Sequence, residues 1–117
     1  FDGLLKMSNK AQVLFLTSDI VQSKKPFWGI YAASKAALEQ IAFSYAAEVR
    51  QTNISVNLVD PGTVATNLRS KAMPGEKQCL LTQPEDLSDF FIEVLDNNKN
   101  LHSQIFKFNK WRESQKN

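Results

Sequence analysis

The sequence predicts an α/β fold in which parallel strands alternate with helices. Two continuous apolar segments, residues 11–18 and 54–60, have the composition of strands that are covered on both faces. Between them, residues 30–51 repeat apolar side chains every three or four positions, as a helix does. A second helical pattern and a short alternating strand follow. This order is typical of a parallel sheet joined by right-handed crossovers.

The elements are predicted in chain order from these patterns. The first strand ends in hydroxyl residues, and residues 19–29 are expected to be a loop because Ser, Lys, Pro and Gly are frequent there. The buried character of Val13 to Leu16 leaves one edge of this strand without an evident partner. Beyond the second strand we expect a long loop at 61–83, a helix at 84–97, an edge strand at 104–108 and a frayed tail after Trp111.

The helix at 30–51 is predicted to have two packing stripes. One stripe holds Tyr31, Lys35, Leu38, Ala42, Tyr45 and Val49, and the other holds Ala36, Gln40, Phe43 and Ala47. We expect one stripe to pack on the sheet and the other on another helix.

The composition is that of an ordinary globular domain of 117 residues. Its net charge of +2 is too small to indicate nucleic acid as a partner, and no apolar run is long enough to span a membrane. The single cysteine, Cys79, excludes an internal disulfide and is compatible with a reducing compartment such as the cytoplasm. One histidine and one cysteine cannot make a zinc site, and we expect His102 to be a solvated loop residue.

Tyr31 and Lys35 are predicted to project from one helix face, about one turn apart. Ser18 follows the first strand and Pro61-Gly62 follows the second, so all these residues converge on the carboxyl edge of the sheet, where ligands bind. An adjacent ammonium lowers the pKa of a phenol, which makes a tyrosine usable as a general acid or base. A serine hydroxyl can donate to a substrate oxygen. These residue types predict proton transfer to a carbonyl or from an alcohol.

These motifs resemble those of the short-chain dehydrogenase/reductase family. The family places a serine at the end of its fifth strand and Tyr-x-x-x-Lys in the next helix. Here Ser18 precedes Tyr31 by thirteen positions, and residues 31–39 read YAASKAALE. Residues 54–66, ISVNLVDPGTVAT, are similar to the family's sixth strand and its Pro-Gly-x-Val-x-Thr segment. The resemblance extends from near the start to about residue 110.

The resemblance implies a role for each matching residue. Tyr31 would be the catalytic acid/base, Lys35 would lower its pKa and bind the nicotinamide ribose, and Ser18 would polarise the substrate carbonyl. The nicotinamide side of NAD or NADP would be held by Pro61, Gly62, Val64 and Thr66. Residues 67–83 would form the substrate-binding loop, and Phe27 and Trp28 could line the substrate entrance.

Several features of the family are not found in these residues. No Gly-x-x-x-Gly-x-Gly fingerprint occurs, the catalytic asparagine would fall upstream of Phe1, and "DIVQ" replaces a glycine that often follows the serine. We therefore expect residues 1–117 to be the carboxyl-terminal half of a single Rossmann-like, doubly wound domain, with about three strands and two main helices. This chain alone is expected to be inactive.

Simpler interpretations stay open for each residue. Tyr31 and Lys35 could be ordinary helix residues, Ser18 could bond local backbone, Pro61-Gly62 could be only a turn, and Thr66 could be a helix cap. For the whole chain, the alternative to an oxidoreductase acting on a small alcohol or carbonyl is a non-catalytic dimerisation or ligand-binding module. In the family, the helix at 30–51 commonly packs against a second copy, so the resemblance implies a homo-oligomer, a dimer or tetramer.

Overall fold

The computed structural model describes Gly3, residues 9–96 and residues 99–116. Within them lie three strands and five α-helices: β1 Ala11–Leu16, α1 Ile20–Ser23, α2 Gly29–Glu48, β2 Ile54–Asp60, α3 Asn67–Ala72, α4 Ser88–Val94, β3 Ile105–Lys107 and α5 Phe108–Gln115. Single 3-10 turns occur at Gln78–Leu80 and Pro84–Leu87. The sheet order is β1-β2-β3 and both pairings are parallel, which confirms the predicted Rossmann-like α/β fold class.

β2 is the central strand, and it is covered on both faces. Ile54, Val56, Leu58 and Val59 are all buried, as the continuous apolar sequence predicted. β1 is less covered than expected, since most of its residues are half-buried and Leu16 is 49% exposed. Within the part of the chain that the structure describes, β1 pairs with β2 alone, so its outer edge has no partner strand.

One face of the sheet packs against α2. Ala46 and Val49 of this helical segment form a buried cluster with Ile54 and Val56 of β2. Because side chains alternate along a strand, Val59 lies on the opposite face, where it packs with α4 and α5. That second cluster contains Leu87, Phe90, Val94 and Phe108, with Trp111 stacked against Phe108 at a centroid distance of 5.8 Å. Helices on both faces are the two outer layers of a doubly wound sheet.

Five local predictions differ from the structure. The predicted loop at 19–29 contains α1, and the predicted loop at 61–83 contains α3. The predicted helix at 84–97 begins as a 3-10 turn, becomes α-helical at Ser88 and ends at Val94, while position 97 lies outside the described residues. The last strand stops at Lys107 rather than at 108. The tail after Trp111 was wrongly expected to fray, because it belongs to α5.

His102 was expected to be solvated, and this prediction is wrong. Its Nδ1 accepts a hydrogen bond from the Val56 backbone N–H at 3.2 Å, and its Nε2 lies 2.9 Å from the Ala46 carbonyl oxygen. A neutral imidazole with its proton on Nε2 satisfies both contacts. His102 therefore links the central strand to α2.

Asp60, the last residue of β2, is buried with only 8% of its surface exposed. Burial raises the pKa of its carboxyl group, and the backbone N–H of Gly62, 2.9 Å from Oδ1, opposes that rise. The negative charges of Asp19 and Glu39 add to the rise, whereas Lys107 acts against it. A charged Asp60 therefore carries a cost to the fold that a neutral residue would avoid.

We predict that His102→Ala lowers the free energy of unfolding by about 2–4 kcal/mol, because the buried Val56 N–H and the Ala46 carbonyl lose their partner. Urea denaturation of the chain measures this change. Gln104→Ala is the control, since it removes only an exposed side chain that bonds the His102 carbonyl, and it should alter stability by less than about 0.5 kcal/mol. Equal stability of both variants would contradict the linking role of His102.

We predict that Asp60→Asn stabilises the chain at neutral pH, because the amide oxygen can still accept the Gly62 N–H while the buried charge is removed. Because the pKa of Asp60 is higher in the folded state than in the unfolded chain, the wild-type protein loses stability as the pH rises from the unfolded-state pKa through the folded-state pKa. The advantage of Asn should therefore be largest at neutral pH and vanish below the ordinary Asp pKa of about 3.9.

Melting temperatures measured at a series of pH values check the Asp60 prediction. The matched control is Asp89→Asn in the first turn of α4, where an exposed carboxylate favours the helix, so that variant should be slightly destabilised at neutral pH. A destabilised Asp60→Asn protein at neutral pH would show that burial of the charge is not the dominant effect.

Candidate active site

The amino-terminal end of α2 lies at the carboxyl edge of the sheet. Ala46 and Val49 pack on the start of β2, whereas Glu39 accepts a hydrogen bond from the hydroxyl of Thr17, just past the end of β1. The helix therefore runs opposite to the strands. Tyr31 lies eight residues before Glu39, which places it about 12 Å further along the helix axis, beyond the strand ends.

Tyr31, Lys35 and Trp28 are brought together in the first turns of α2. The Lys35 Nζ atom is 5.9 Å from the centroid of the Tyr31 ring, and the Trp28 ring meets the Tyr31 ring edge to face at 5.8 Å. The Tyr31 side chain remains 42% exposed. The phenol is thus held between an indole and an ammonium while it stays accessible to a ligand.

Phe27 and Trp28, the predicted entrance residues, differ in their environment. Trp28 is half-buried against Tyr31, whereas Phe27 is fully exposed. Phe27 also has a φ of 69°, which is uncommon for a bulky side chain. An aromatic ring held in solvent by a strained backbone, four residues before Tyr31, is a surface available for a ligand.

Ser18 follows β1 at the level of the end of β2, as the pairing of Leu16 with Val59 requires. Its Oγ accepts a hydrogen bond from the Ile20 N–H at 3.3 Å and donates a long one, of 3.5 Å, to the Asp19 carboxylate. The Ser18 hydroxyl therefore does bond local backbone, as the simpler interpretation of this residue predicted. Because the hydrogen bond that it donates is long and weak, the Ser18 hydroxyl can turn its proton to a substrate oxygen.

Pro61 and Gly62 turn the chain away from the end of β2. Gly62 has a φ of 74°, a region that favours glycine, and its N–H is fixed by Asp60. A Cβ atom at position 62 would lie 3.5 Å from the side chain of Asn109 in α5. The turn is thus an exposed stretch of backbone backed by a helix.

Val64 and Thr66 continue this segment with different surroundings. Val64 is half-buried against the core and pairs with Thr82 in an isolated parallel bridge. Thr66 is exposed and caps α3, since its Oγ1 accepts the Arg69 N–H at 3.1 Å. The helix-cap interpretation of Thr66 is confirmed, and the proton of its hydroxyl is still available for a ligand.

Sequence patterns did not indicate the ion pair that lies in the predicted substrate loop. Arg69 and Glu76 form a two-point salt bridge there. Because α3 ends at Ala72, between the two residues, no single helix or strand pattern relates them. The role of Asp60 could have been recognised, because an Asp before Pro-Gly is a common side-chain acceptor for a turn.

A groove elsewhere on the surface does not coincide with Tyr31. This space of about 310 Å³ lies between β1 and the carboxyl-terminal half of α2, lined by Phe15, Gln40, Ile41, Ser44, Tyr45 and Glu48. It follows the strand edge that has no partner among the described residues. Its lining residues include no lysine or arginine, so it lacks a phenol beside an ammonium such as Tyr31 and Lys35 form.

No helix in the described ranges is long and apolar enough to cross a lipid bilayer. No three His, Cys, Asp or Glu side chains group into a possible metal site, again among the described residues.

Comparisons with known proteins identify relatives of this chain. A family model for short chain dehydrogenases matches residues 3–77. The chain is 42% identical over 64 residues to an NADPH-dependent aldehyde reductase-like protein of Arabidopsis thaliana, covering 55% of this chain and 24% of that protein. It is 32% identical over 92 residues to the uncharacterized oxidoreductase YciK of Escherichia coli K12, covering 79% and 36%.

Solved structures give the same result for the fold. A short chain dehydrogenase of Escherichia coli CFT073, in complex with NADPH, superposes with a TM-score of 0.78 at 30% identity, covering 89% of this chain and 43% of that one. The chain therefore spans less than half the length of these relatives. The matched model covers more than half of this chain and includes Ser18, Tyr31, Lys35 and the Pro61-Gly62 turn, and the chain belongs to the short chain dehydrogenase family.

Proposed function

We propose that the intact enzyme transfers hydride between the nicotinamide of NAD or NADP and a small alcohol or carbonyl compound. Tyr31 would be the acid/base, and these 117 residues would be the carboxyl-terminal half of one domain. The observation that carries this proposal is the accessible Tyr31 phenol with the Lys35 ammonium 5.9 Å from its ring, at the edge of the sheet where ligands bind.

Tyr31 would deliver a proton to the substrate oxygen during reduction and remove it during oxidation. A phenol is a weak acid at neutral pH, so this transfer needs a nearby positive charge that stabilises the phenolate. The Lys35 ammonium supplies that charge from one helical turn away. Trp28 packs against the ring and limits the orientations of the phenol.

Ser18 would donate a hydrogen bond to the same substrate oxygen as negative charge develops there. Its contact with Asp19 is long, at 3.5 Å, so a substrate oxygen can replace it at little cost. The Ile20 N–H meanwhile holds the Ser18 oxygen in place, because it occupies an acceptor position rather than the hydroxyl proton.

The residues around Pro61 fit the nicotinamide half of a dinucleotide. The exposed Gly62 turn lets a flat ring approach the backbone without a side chain in the way, and Thr66 presents a hydroxyl on the same segment. Pro61 and Val64 would contact the ring, and Lys35 would bond the ribose. When bound, the dinucleotide supplies or accepts the hydride.

Two relatives support the choice of cofactor. NADPH is the dinucleotide in the names of both the Arabidopsis thaliana protein and the Escherichia coli complex. The 117-residue sequence carries no glycine-rich pyrophosphate fingerprint. We therefore assign the adenosine and pyrophosphate contacts to residues outside this sequence.

The exposed stripe of α2 is proposed as the contact with a second copy of the chain. Ala36, Gln40 and Ala47 are exposed, and small side chains allow two helices to approach closely. A cytoplasmic location remains our expectation. The competing function, a non-catalytic module with this fold, gives no physical reason for Ser18, Tyr31 and Lys35 to occur together.

We predict that Tyr31→Phe lowers kcat of the intact enzyme by about 10²- to 10⁴-fold, because the proton donor is lost while the ring packing against Trp28 is kept. The dissociation constant for NADPH should change little. Steady-state kinetics and a fluorescence titration measure the two quantities. Tyr45→Phe, fourteen residues further along α2, is the matched control and should keep its activity. Full activity of Tyr31→Phe would refute the assigned role.

We also predict that the 117-residue chain alone does not oxidise NADPH in the presence of carbonyl compounds, since it carries only the nicotinamide side of the proposed site. Absorbance at the nicotinamide band during incubation with an aldehyde series measures this. Intact mass determination of the sample is the control that no longer polypeptide is present. Steady turnover by the verified chain would contradict the division of the cofactor site.

A further inference from the structure

In the predicted substrate loop, the guanidinium group of Arg69 is held in a fixed orientation. Arg69 Nε lies 2.8 Å from Glu76 Oε1, and Arg69 Nη2 lies 2.9 Å from Glu76 Oε2. Two parallel hydrogen bonds of this kind are the geometry with which arginine binds a carboxylate. The two side chains keep 29% and 25% of their surface exposed, so the pair is accessible to a ligand.

The backbone of Arg69 is fixed on both sides. Its N–H donates to Thr66 Oγ1 at 3.1 Å, and its carbonyl accepts from the Met73 N–H at 2.9 Å. The segment that carries it is closed at its base, because the Ala65 N–H donates to the Thr82 carbonyl at 2.8 Å. The guanidinium therefore projects from an anchored turn, which reduces the ordering cost of binding an anion.

The helix that carries Arg69, α3, follows the Pro61-Gly62 turn at the carboxyl edge of the sheet, the edge at which α2 begins. The hydrogen bond to Glu76 is the main cause that raises the pKa of Arg69. Desolvation lowers this pKa, and the charge of Glu76, with a smaller electrostatic contribution from Tyr31, raises it further.

We propose that Arg69 is a specificity-determining residue that binds a carboxylate group of the substrate. Without substrate, the Glu76 carboxylate occupies the place that the substrate carboxylate takes. This inference rests on the proposed function, because it names the substrate class of the same site: a carbonyl compound, or the matching alcohol, that also carries a carboxylate.

The exchange of one carboxylate for the other is energetically feasible. An ion pair with this degree of exposure contributes little net stability, so its opening is a small cost. A substrate carboxylate regains the same two hydrogen bonds and places its carbonyl end toward Tyr31. A neutral substrate cannot replace these two hydrogen bonds, so it would bind while the Arg69–Glu76 ion pair stays intact.

The test compares two aldehydes as substrates of the intact enzyme. Benzaldehyde and 4-carboxybenzaldehyde share the same aromatic ring, and only the second carries a carboxylate. Arg69→Gln should lower kcat/KM for 4-carboxybenzaldehyde by about 10- to 100-fold and change that for benzaldehyde by less than about twofold. Glu76→Gln removes the internal competitor and should raise kcat/KM for the carboxylate alone. Lys110→Gln, an exposed residue of α5 outside the predicted substrate loop, is the control for a general loss of positive charge and should affect neither substrate strongly.

Three outcomes would overturn the inference. In the first, Arg69→Gln reduces kcat/KM equally for both aldehydes, which would mean that the Arg69–Glu76 pair only stabilises the loop. In the second, Glu76→Gln lowers kcat/KM for both aldehydes, which would also mean that the pair only stabilises the loop. The wild-type enzyme could prefer benzaldehyde.

Failure of the proposed function would give a different result, because the wild type would then reduce neither aldehyde. Carboxylate binding can still be measured in that case, with terephthalate as the probe and the Arg69 Nε–H signal in NMR spectra as the readout. A signal that shifts in the wild type, with weaker terephthalate binding in Arg69→Gln, supports the carboxylate site. An unchanged signal overturns it.

Discussion

Parallel pairing of β1 with β2 is the constraint on which the remaining structure depends. Six consecutive residue pairs, from Ala11 with Ile54 to Leu16 with Val59, bring both carboxyl ends to one edge. β2 has no solvent-facing side, because α2 covers one face and the aromatic cluster of α4 and α5 covers the other. Ser18 and the Pro61-Gly62 turn meet at one edge because the strands that precede them are in register.

α2 connects this framework to the chemistry. Its last turns are buried against the sheet and tied to it through His102, while its first turns extend past the strand ends. A helix anchored at one end holds Tyr31 and Lys35 in a stable position, yet leaves the phenol exposed. The division of one helix into a packing end and a reactive end reconciles a rigid site with access for a ligand.

Sequence patterns were most informative where burial is complete. The bounds of β2 were predicted to the residue, since a short continuous apolar run stopped by Pro-Gly is typical of a buried strand, and α2 was predicted within three residues at each end. Contacts between distant residues were not predictable in this way. His102 bonds Val56 and Ala46, and Arg69 bonds Glu76, through geometry that only the folded chain creates. α5 was missed for a related reason, because stacking of Phe108 and Trp111 orders residues that have the composition of a polar tail.

Tyr31, Lys35 and the Pro61-Gly62 turn are proposed to form one site around a nicotinamide ring. A crystal structure of the intact enzyme with NADPH bound tests this most directly. We expect the nicotinamide to lie against the Pro61-Gly62 backbone, with Lys35 Nζ in hydrogen-bond contact with the ribose and the Tyr31 hydroxyl facing the reactive carbon across the substrate space. A nicotinamide bound away from the Pro61-Gly62 turn, with Tyr31 and Lys35 in contact with neither ring nor ribose, would contradict this assignment.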